Sequence, residues 1–194
     1  AVNSAFTPEG ALCPEYLKRV ERVIRAADDA GAAVILGCYY QRQDQLLRDA
    51  DAVRAGVVNT ARWVRDNGFA NVALEIANEY PHRGFDHEIL RTPGGIAELI
   101  RLAKATVPGL LVSASGIGDG KFDNEVCEAA NFLLIHFNGT PVEQIPARVE
   151  ALKSYGRAIV CNEDDKDSQG SARGGSICRL RVLVGTDAQR REPV

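Results

Sequence analysis

Two Asn-Glu pairs are the residues of this chain best suited to chemistry. Asn78-Glu79 ends the apolar run VALEIANE at residues 72–79, and Asn162-Glu163 ends AIVCNE at residues 158–163. A carboxylate that follows a buried strand lies at the carboxyl end of that strand, where α/β enzymes hold their reactive groups. Two such glutamates on one sheet can flank a glycosidic bond, one as proton donor and the other as nucleophile.

Other strand ends carry residues that suit a sugar cleft. His136 ends the run FLLIH, and we expect it beside the glutamates, with a hydrogen-bonded core histidine as the alternative. Tyr39, Tyr40 and Gln41 follow the run AVILGC, and Asn138 comes two positions after His136. Aromatic faces stack on sugar rings and amides bind hydroxyl groups. These residues are therefore predicted to bind substrate, although tyrosines are also common at strand ends for packing reasons.

Neighbouring acids and histidines are assigned structural roles. Glu75 lies on the same side of its strand as Glu79 because strand side chains alternate, so a buried Glu75 needs a hydrogen-bonding partner. His82 and His87 follow in the polar loop YPHRGFDH and would offer metal ligands together with Glu79. A solvated polar loop is the favoured interpretation. No metal and no cofactor are predicted.

Composition narrows the classes of function. The chain has 194 residues, 45% hydrophobic and 25% charged, with a net charge of −3, which suits one domain with a sizeable core. There is no basic stripe for nucleic acid and no run of about 20 apolar residues for a membrane span. The first residues, AVNSAFTPEG, do not resemble a signal peptide, and the compartment stays open. The five cysteines form no CxxC pair and are expected to be buried thiols: Cys13, Cys38, Cys127, Cys161 and Cys178.

The elements that position these residues alternate between helix and strand. Helices are expected at about 14–30, 44–67, 93–107, 124–130 and 141–155, and strands at 33–40, 72–79, 110–115, 132–137 and 157–163. Strands that are apolar at successive positions are buried on both faces, as in a parallel sheet covered by helices. Either an open sheet or a barrel fits this pattern. Because no GxGxxG or GxxxxGK[ST] loop follows a strand, the barrel is favoured.

The predicted fold is α/β, a (β/α)8 TIM-barrel type that is incomplete. A full barrel takes about 250 residues, so residues 1–166 are assigned to a partial catalytic barrel domain that holds strands three to seven and lacks the first strands. Residues 167–194 are predicted to be a divergent or poorly ordered segment with a possible strand at 177–185. Such a partial barrel would expose unpaired strand edges at 33–40 and after Glu163, and these edges favour self-association.

Four stretches resemble the clan A glycoside hydrolases, especially cellulase-like members: residues 6–44, ANE at 77–79, HFN at 136–138 and NE at 162–163. The resemblance implies a (β/α)8 barrel in which Glu79 is the general acid/base and Glu163 the nucleophile. It matches Asn78 to the asparagine that contacts the sugar 2-hydroxyl, and His136 to an aromatic or histidine position at the sixth strand end. Secretion or a periplasmic location would fit that family.

The predicted function is cleavage of O-glycosidic bonds by a retaining two-glutamate mechanism, acting on an oligo- or polysaccharide. One alternative is a non-catalytic carbohydrate-binding relative or an inactive fragment. It is favoured by the absence of a counterpart for the family's tryptophan after the eighth strand, since the only tryptophan, Trp63, lies within a helix. The other alternative is a metal-dependent barrel hydrolase or isomerase.

Overall fold

The computed structural model of the chain describes residues 4–165 and the strand at 180–183. The helices are α1 (Pro14–Asp29), α2 (Ala50–Asp66), α3 (Pro93–Thr106), α4 (Asn124–Ala129) and α5 (Ile145–Lys153). The strands are β1 (Val34–Tyr39), β2 (Val72–Ala77), β3 (Val112–Ser113), β4 (Phe132–His136), β5 (Ala158–Glu163) and β6 (Leu180–Leu183). Short 3-10 turns occur at Asp44–Leu46, Glu88–Leu90 and Val142–Gln144.

The helices begin where the sequence supplies a start signal. Pro14 and Pro93 occupy first-turn positions of α1 and α3, where a missing N–H costs nothing. The predicted second helix begins later than expected, at Ala50 and not at Asp44, because the Asp49 side chain accepts a hydrogen bond from the Ala52 N–H and caps α2 there. Asp44 lies instead in a separate 3-10 turn and is buried.

The strands form two parallel sheets. One has four strands in the order β3-β2-β1-β6, and the other pairs β4 with β5. In the part of the chain that the structure describes, one bridge joins the two sheets, from Ser115 to Leu134. The sheets are covered by helices whose apolar faces join one core, including Ile24, Val57 and Ile100.

The prediction of a (β/α)8 barrel is wrong, because the described residues form two open sheets. β3 contains only two residues, so pairing between β3 and β4 is reduced to the single bridge. β6 pairs with β1, and no pairing joins β6 to β5 within the described part of the chain. The alternation of helices with doubly buried strands identifies parallel strands, but it carries no information on whether they close.

The strand edges also differ from the prediction. β1 is not an edge, because it pairs with β2 on one side and with β6 on the other. Within the described residues β5 is an edge strand, and it is the most exposed of the strands whose burial is known. None of the described helices has the length and hydropathy to cross a membrane.

Four of the five cysteines lie in the described residues, and all four are free thiols: Cys13, Cys38, Cys127 and Cys161. Cys38 and Cys127 are buried, and burial raises the pKa of Cys38 to about 12 and that of Cys127 to about 11. The predicted segment 167–194 lies outside the described residues apart from β6. The division at residue 166 stays a prediction.

Candidate active site

Glu79 stands in a strained turn at the end of β2. Its φ is 51°, a left-handed conformation that glutamate rarely adopts. Hydrogen bonds on both sides hold the turn: the Asn78 N–H donates to the Tyr39 carbonyl, and the Tyr80 N–H donates to the Ser115 carbonyl. Backbone strain that the surroundings enforce in this way is concentrated at functional positions.

Glu163 reaches the same place through a bulge in β5. Ile135 pairs with Cys161, but His136 pairs with Glu163, so Asn162 is the extra residue. Side chains alternate between the two faces of a strand. The extra residue therefore places Glu163 on the opposite face from the one it would occupy without the bulge. The bulge thereby aligns Glu163 with His136.

Glu79, His136 and Glu163 converge. The His136 Nδ1 atom lies 3.3 Å from Oε1 of Glu79 and 3.6 Å from Oε2 of Glu163. One oxygen of each carboxylate and this ring nitrogen all lie within 4.8 Å of one another. The side chains of Glu79 and Glu163 are 20% and 35% exposed, so both are open to a ligand from solvent, whereas His136 is completely buried.

The two ring nitrogens of His136 have different surroundings. Its Nδ1 faces two carboxylates, and its buried Nε2 has no hydrogen-bond partner among the described residues. The Nδ1 edge of the ring is therefore the side on which His136 contacts both glutamates.

Two amides bind the carboxylates from the other side. Gln41 is buried, and its Nε2 donates to Oε2 of Glu79 and to the backbone carbonyl of Asn78, both at 3.0 Å. Asn138 Nδ2 donates to Oε1 of Glu163 at 2.5 Å. Each glutamate thus has one oxygen bound by an amide and the other directed at His136.

A chain of buried hydrogen bonds connects the backbone of Glu79 to Glu75. The Glu79 N–H donates to the Ser115 hydroxyl at 3.0 Å, and that hydroxyl donates to Oε1 of Glu75 at 2.6 Å. Glu75 and Ser115 are fully buried. The sequence indicated that Glu75 needs a partner but did not identify Ser115, because the contact joins β2 to the residues after β3.

The predicted sugar-binding residues have different surroundings. Tyr39 is buried and its hydroxyl donates to the Val53 carbonyl of α2, so this side chain packs the sheet against a helix. Burial above all raises the pKa of Tyr39 well above its ordinary range. Tyr40 is partly buried and lines a small depression with Phe6 and Gln43. Asn78 is buried, and its Oδ1 has no partner among the described residues.

The loop after Glu79 is fixed by contacts of its own. Oδ2 of the buried Asp44 accepts hydrogen bonds from the backbone N–H groups of Asp86 and His87 and contacts the His87 ring at 2.9 Å. The Tyr80 hydroxyl donates to Asp123 at 2.5 Å, and burial followed by this hydrogen bond raises the pKa of Tyr80 far above its usual value. Tyr80 is therefore an anchor that stays neutral.

One group in the described part of the chain has the spacing of metal ligands: Glu79, His136 and Glu163. His82 and His87, the histidines that the sequence offered for a metal, do not belong to it. His82 instead accepts a hydrogen bond from the Gly84 N–H. A metal-binding histidine nearly always has a hydrogen-bond partner on its second ring nitrogen. Among the described residues, the Nε2 atom of His136 has no such partner.

Comparison with known proteins gives one informative likeness. No family model and no curated protein matches the chain. Among solved structures, it is similar to an active-site mutant of the Rhizomucor miehei β-1,3-glucanosyltransferase in complex with laminaritriose, with a TM-score of 0.52 and 17% identity. The match covers 73% of this chain and 53% of that one, so the chain spans about half of its length. At this identity the likeness concerns the fold, and the distant neighbour is a glucan-processing enzyme.

Proposed function

We propose that this protein is a glycoside hydrolase that cleaves O-glycosidic bonds with retention of configuration. The observation that carries the proposal is the convergence of Glu79 and Glu163 on His136, with one oxygen of each within 4.8 Å of the other. Retaining enzymes hold their two carboxyl groups about 5–5.5 Å apart, and inverting enzymes about 6.5–9.5 Å apart to admit water. The short separation favours retention.

The mechanism assigns one role to each glutamate. Glu163 attacks the anomeric carbon and forms a glycosyl ester while Glu79 protonates the departing oxygen. Glu79, now ionised, takes a proton from water, which attacks the same carbon and releases Glu163. The net negative charge moves from Glu163 to Glu79 and back. His136 lies beside both carboxylates, with Nδ1 3.3 Å from Oε1 of Glu79 and 3.6 Å from Oε2 of Glu163.

The choice of test substrate follows from the structural neighbour. That protein was solved with laminaritriose, so β-1,3-linked glucose oligomers are the first compounds to assay. The neighbour is a transferase, and a glycosyl ester on Glu163 would react equally with water or with a sugar hydroxyl. Products longer than the starting oligomer would indicate transfer, and glucose with shorter oligomers would indicate hydrolysis.

The division of labour is tested with two isosteric variants. Glu163→Gln should form no glycosyl ester, because an amide is a poor nucleophile. Glu79→Gln should release dinitrophenol from a dinitrophenyl glycoside in a burst and then stall, because this leaving group needs no proton but the base for water is missing. Azide should restore turnover of Glu79→Gln and yield a glycosyl azide with retained configuration.

Several outcomes would contradict these roles. Full activity in either variant would remove that glutamate from the chemistry. Loss of both steps in both variants without azide rescue would refute the assignment. If the wild-type protein binds laminaritriose but does not turn over any glycoside, the non-catalytic carbohydrate-binding alternative is correct.

A metal-dependent hydrolase is the second candidate function, because Glu79, His136 and Glu163 have the spacing of a ligand set. Chelation separates the two candidates. Activity that survives dialysis against EDTA supports the two-glutamate mechanism. Activity that disappears with EDTA and returns with one divalent metal would support the metal site instead.

A further inference from the structure

The two amides beside the carboxylates have no assigned role in the reaction described above. Gln41 follows β1 and Asn138 follows β4, so they reach the site from different sheets. Sequence reasoning assigned both to substrate. In the structure, each has its NH2 group on a glutamate, Gln41 on Glu79 and Asn138 on Glu163.

The orientation of the Gln41 amide is fixed by a backbone group. Its Nε2 contacts the carbonyl oxygen of Asn78, which only accepts hydrogen bonds. Rotating the amide by half a turn would bring two acceptor oxygens together in a buried place. The NH2 group therefore faces Oε2 of Glu79 at every stage of a reaction.

This constraint distinguishes the two oxygens of Glu79. An oxygen that permanently accepts from an N–H cannot also carry a proton in the same direction. When Glu79 is a carboxylic acid, Oε2 is consequently its carbonyl oxygen and the proton lies on Oε1. Oε1 is also the oxygen nearer to His136, at 3.3 Å.

Asn138 does the same for Glu163. It donates to Oε1 at 2.5 Å, while Oε2 is the oxygen directed at His136 at 3.6 Å. The contact of Oε1 with Asn138 is about 1 Å shorter than that of Oε2 with His136, so Oε1 is the more tightly held oxygen and Oε2 is the better placed nucleophile. The arrangement is symmetrical, with both amide-bound oxygens away from His136 and both remaining oxygens toward it.

We propose that Gln41 and Asn138 are positioning residues that each bind one carboxylate oxygen, so that the acid proton resides on Oε1 of Glu79 and Oε2 of Glu163 attacks the sugar. The reactive-oxygen assignment rests on the proposed function, whereas the amide–carboxylate pairing does not. Gln41 therefore acts on protonation of the leaving group, and Asn138 acts on the nucleophile.

Leaving-group dependence tests the first part. The test compares phenyl and dinitrophenyl β-glucosides as substrates. Gln41→Met should lower kcat/KM about 100-fold on the phenyl compound, because its leaving group needs a proton from the acid. On the dinitrophenyl compound, whose leaving group needs no proton, the loss should be about 3-fold at most. Asn138→Leu should lower kcat/KM by a similar factor on both, because every substrate needs the nucleophile. Gln45→Met is the matched control and should change neither value, since Gln45 is exposed and, among the described residues, its amide donates to the Gly84 carbonyl and to no carboxylate. Equal losses on both compounds in Gln41→Met, with a raised KM, would show that Gln41 contacts the sugar and would overturn the proposal.

Side-chain amide NMR tests the pairing without activity. In the ligand-free protein, Glu79→Ala should shift the NH2 signals of Gln41 and leave those of Asn138, and Glu163→Ala should do the reverse. The Gln45 signals should be constant in both. Unchanged Gln41 and Asn138 signals in both variants would overturn the pairing. An inactive wild-type protein with the expected shifts would refute the proposed function and retain the pairing.

Discussion

Glu79 combines a partly buried carboxylate with a backbone conformation that costs folding free energy. Its φ of 51° is one of two positive values among the described residues other than glycine, and the second is Arg42 at 63°. The left-handed region costs a non-glycine residue about 1–2 kcal/mol. A residue that keeps such strain beside a second carboxylate is better explained by function than by stability.

The strain predicts that Glu79→Asn stabilises the protein while abolishing its activity. Asparagine tolerates the left-handed conformation, so the free energy of unfolding should rise by about 1 kcal/mol in urea denaturation. Arg42→Asn is the matched control, because it relieves the same kind of strain outside the carboxylate cluster. The free energy of unfolding of Arg42→Asn should rise by a similar amount, and the variant should remain active. A Glu79→Asn protein that is less stable than the wild type would contradict this interpretation.

At the scale of elements, the site depends on contacts between β2 and the residue that follows β3. Ser115 accepts from the Glu79 N–H and donates to buried Glu75, so it links the strained turn to a carboxylate beneath it. Ser113, two residues earlier, is equally buried but donates to backbone carbonyls, including that of Phe132 at 2.6 Å. The two serines therefore differ mainly in the charge of their acceptors.

This difference predicts unequal costs for two similar substitutions. Ser115→Ala should lower the free energy of unfolding by about 2–3 kcal/mol, because hydrogen bonds to charged groups are the stronger ones. Ser113→Ala should cost about 1 kcal/mol. Chemical denaturation measures both values, and Ser115→Ala should in addition reduce turnover by loosening Glu79. Equal costs for the two serines would argue that Ser115 does not support the site.

Much of the element pattern was predictable from the sequence, and the pairing of the elements was not. Apolar periodicity and start signals predicted the five α-helices of the described residues and the five strands up to β5. The strand-end rule predicted Glu79 and Glu163 as site residues, and that assignment stays a prediction. The late start of α2 depends on a capping contact at Asp49, and the alignment of Glu163 depends on a bulge at Asn162. Neither the cap nor the bulge produces a periodic pattern in the sequence. A sequence does not tell which way an amide at a strand end turns, and in the structure the NH2 group of Gln41 faces Glu79. Sugar binding by Gln41 stays a prediction.

At the scale of the whole molecule, the arrangement is two parallel sheets and not the expected barrel. Local patterns decide which segments are strands, but distant partners decide sheet order. The pairing of β1 with β6, far apart in the chain, is a contact of this kind. The carboxyl ends of β2 and β5 nevertheless meet across the boundary between the sheets, where Glu79, His136 and Glu163 converge.

Among the described strands β5 is an edge, and this edge predicts association between molecules. β5 begins with exposed Ala158 and continues with partly exposed Ile159 and Val160, and unpaired parallel edges favour pairing between molecules. Static light scattering should show a mass that rises with protein concentration, and Ala158→Lys should reduce that rise by placing a charge on the edge. Leu111→Lys is the control, since Leu111 is 53% exposed but lies outside β5. A monomer at all concentrations, or an equal effect of both lysines, would show that the β5 edge is not responsible.

The most direct test of the proposed function is to trap the glycosyl ester. A 2-deoxy-2-fluoro glucoside with a dinitrophenolate leaving group slows the second step more than the first, so the intermediate should accumulate and raise the intact mass by one fluorosugar. Peptide mapping should place the sugar on Glu163, and the Glu163→Gln protein should gain no mass under the same conditions. A turnover-competent protein that forms no adduct, or an adduct on a residue other than Glu163, would contradict the assignment of Glu163 as the nucleophile of a retaining glycosidase.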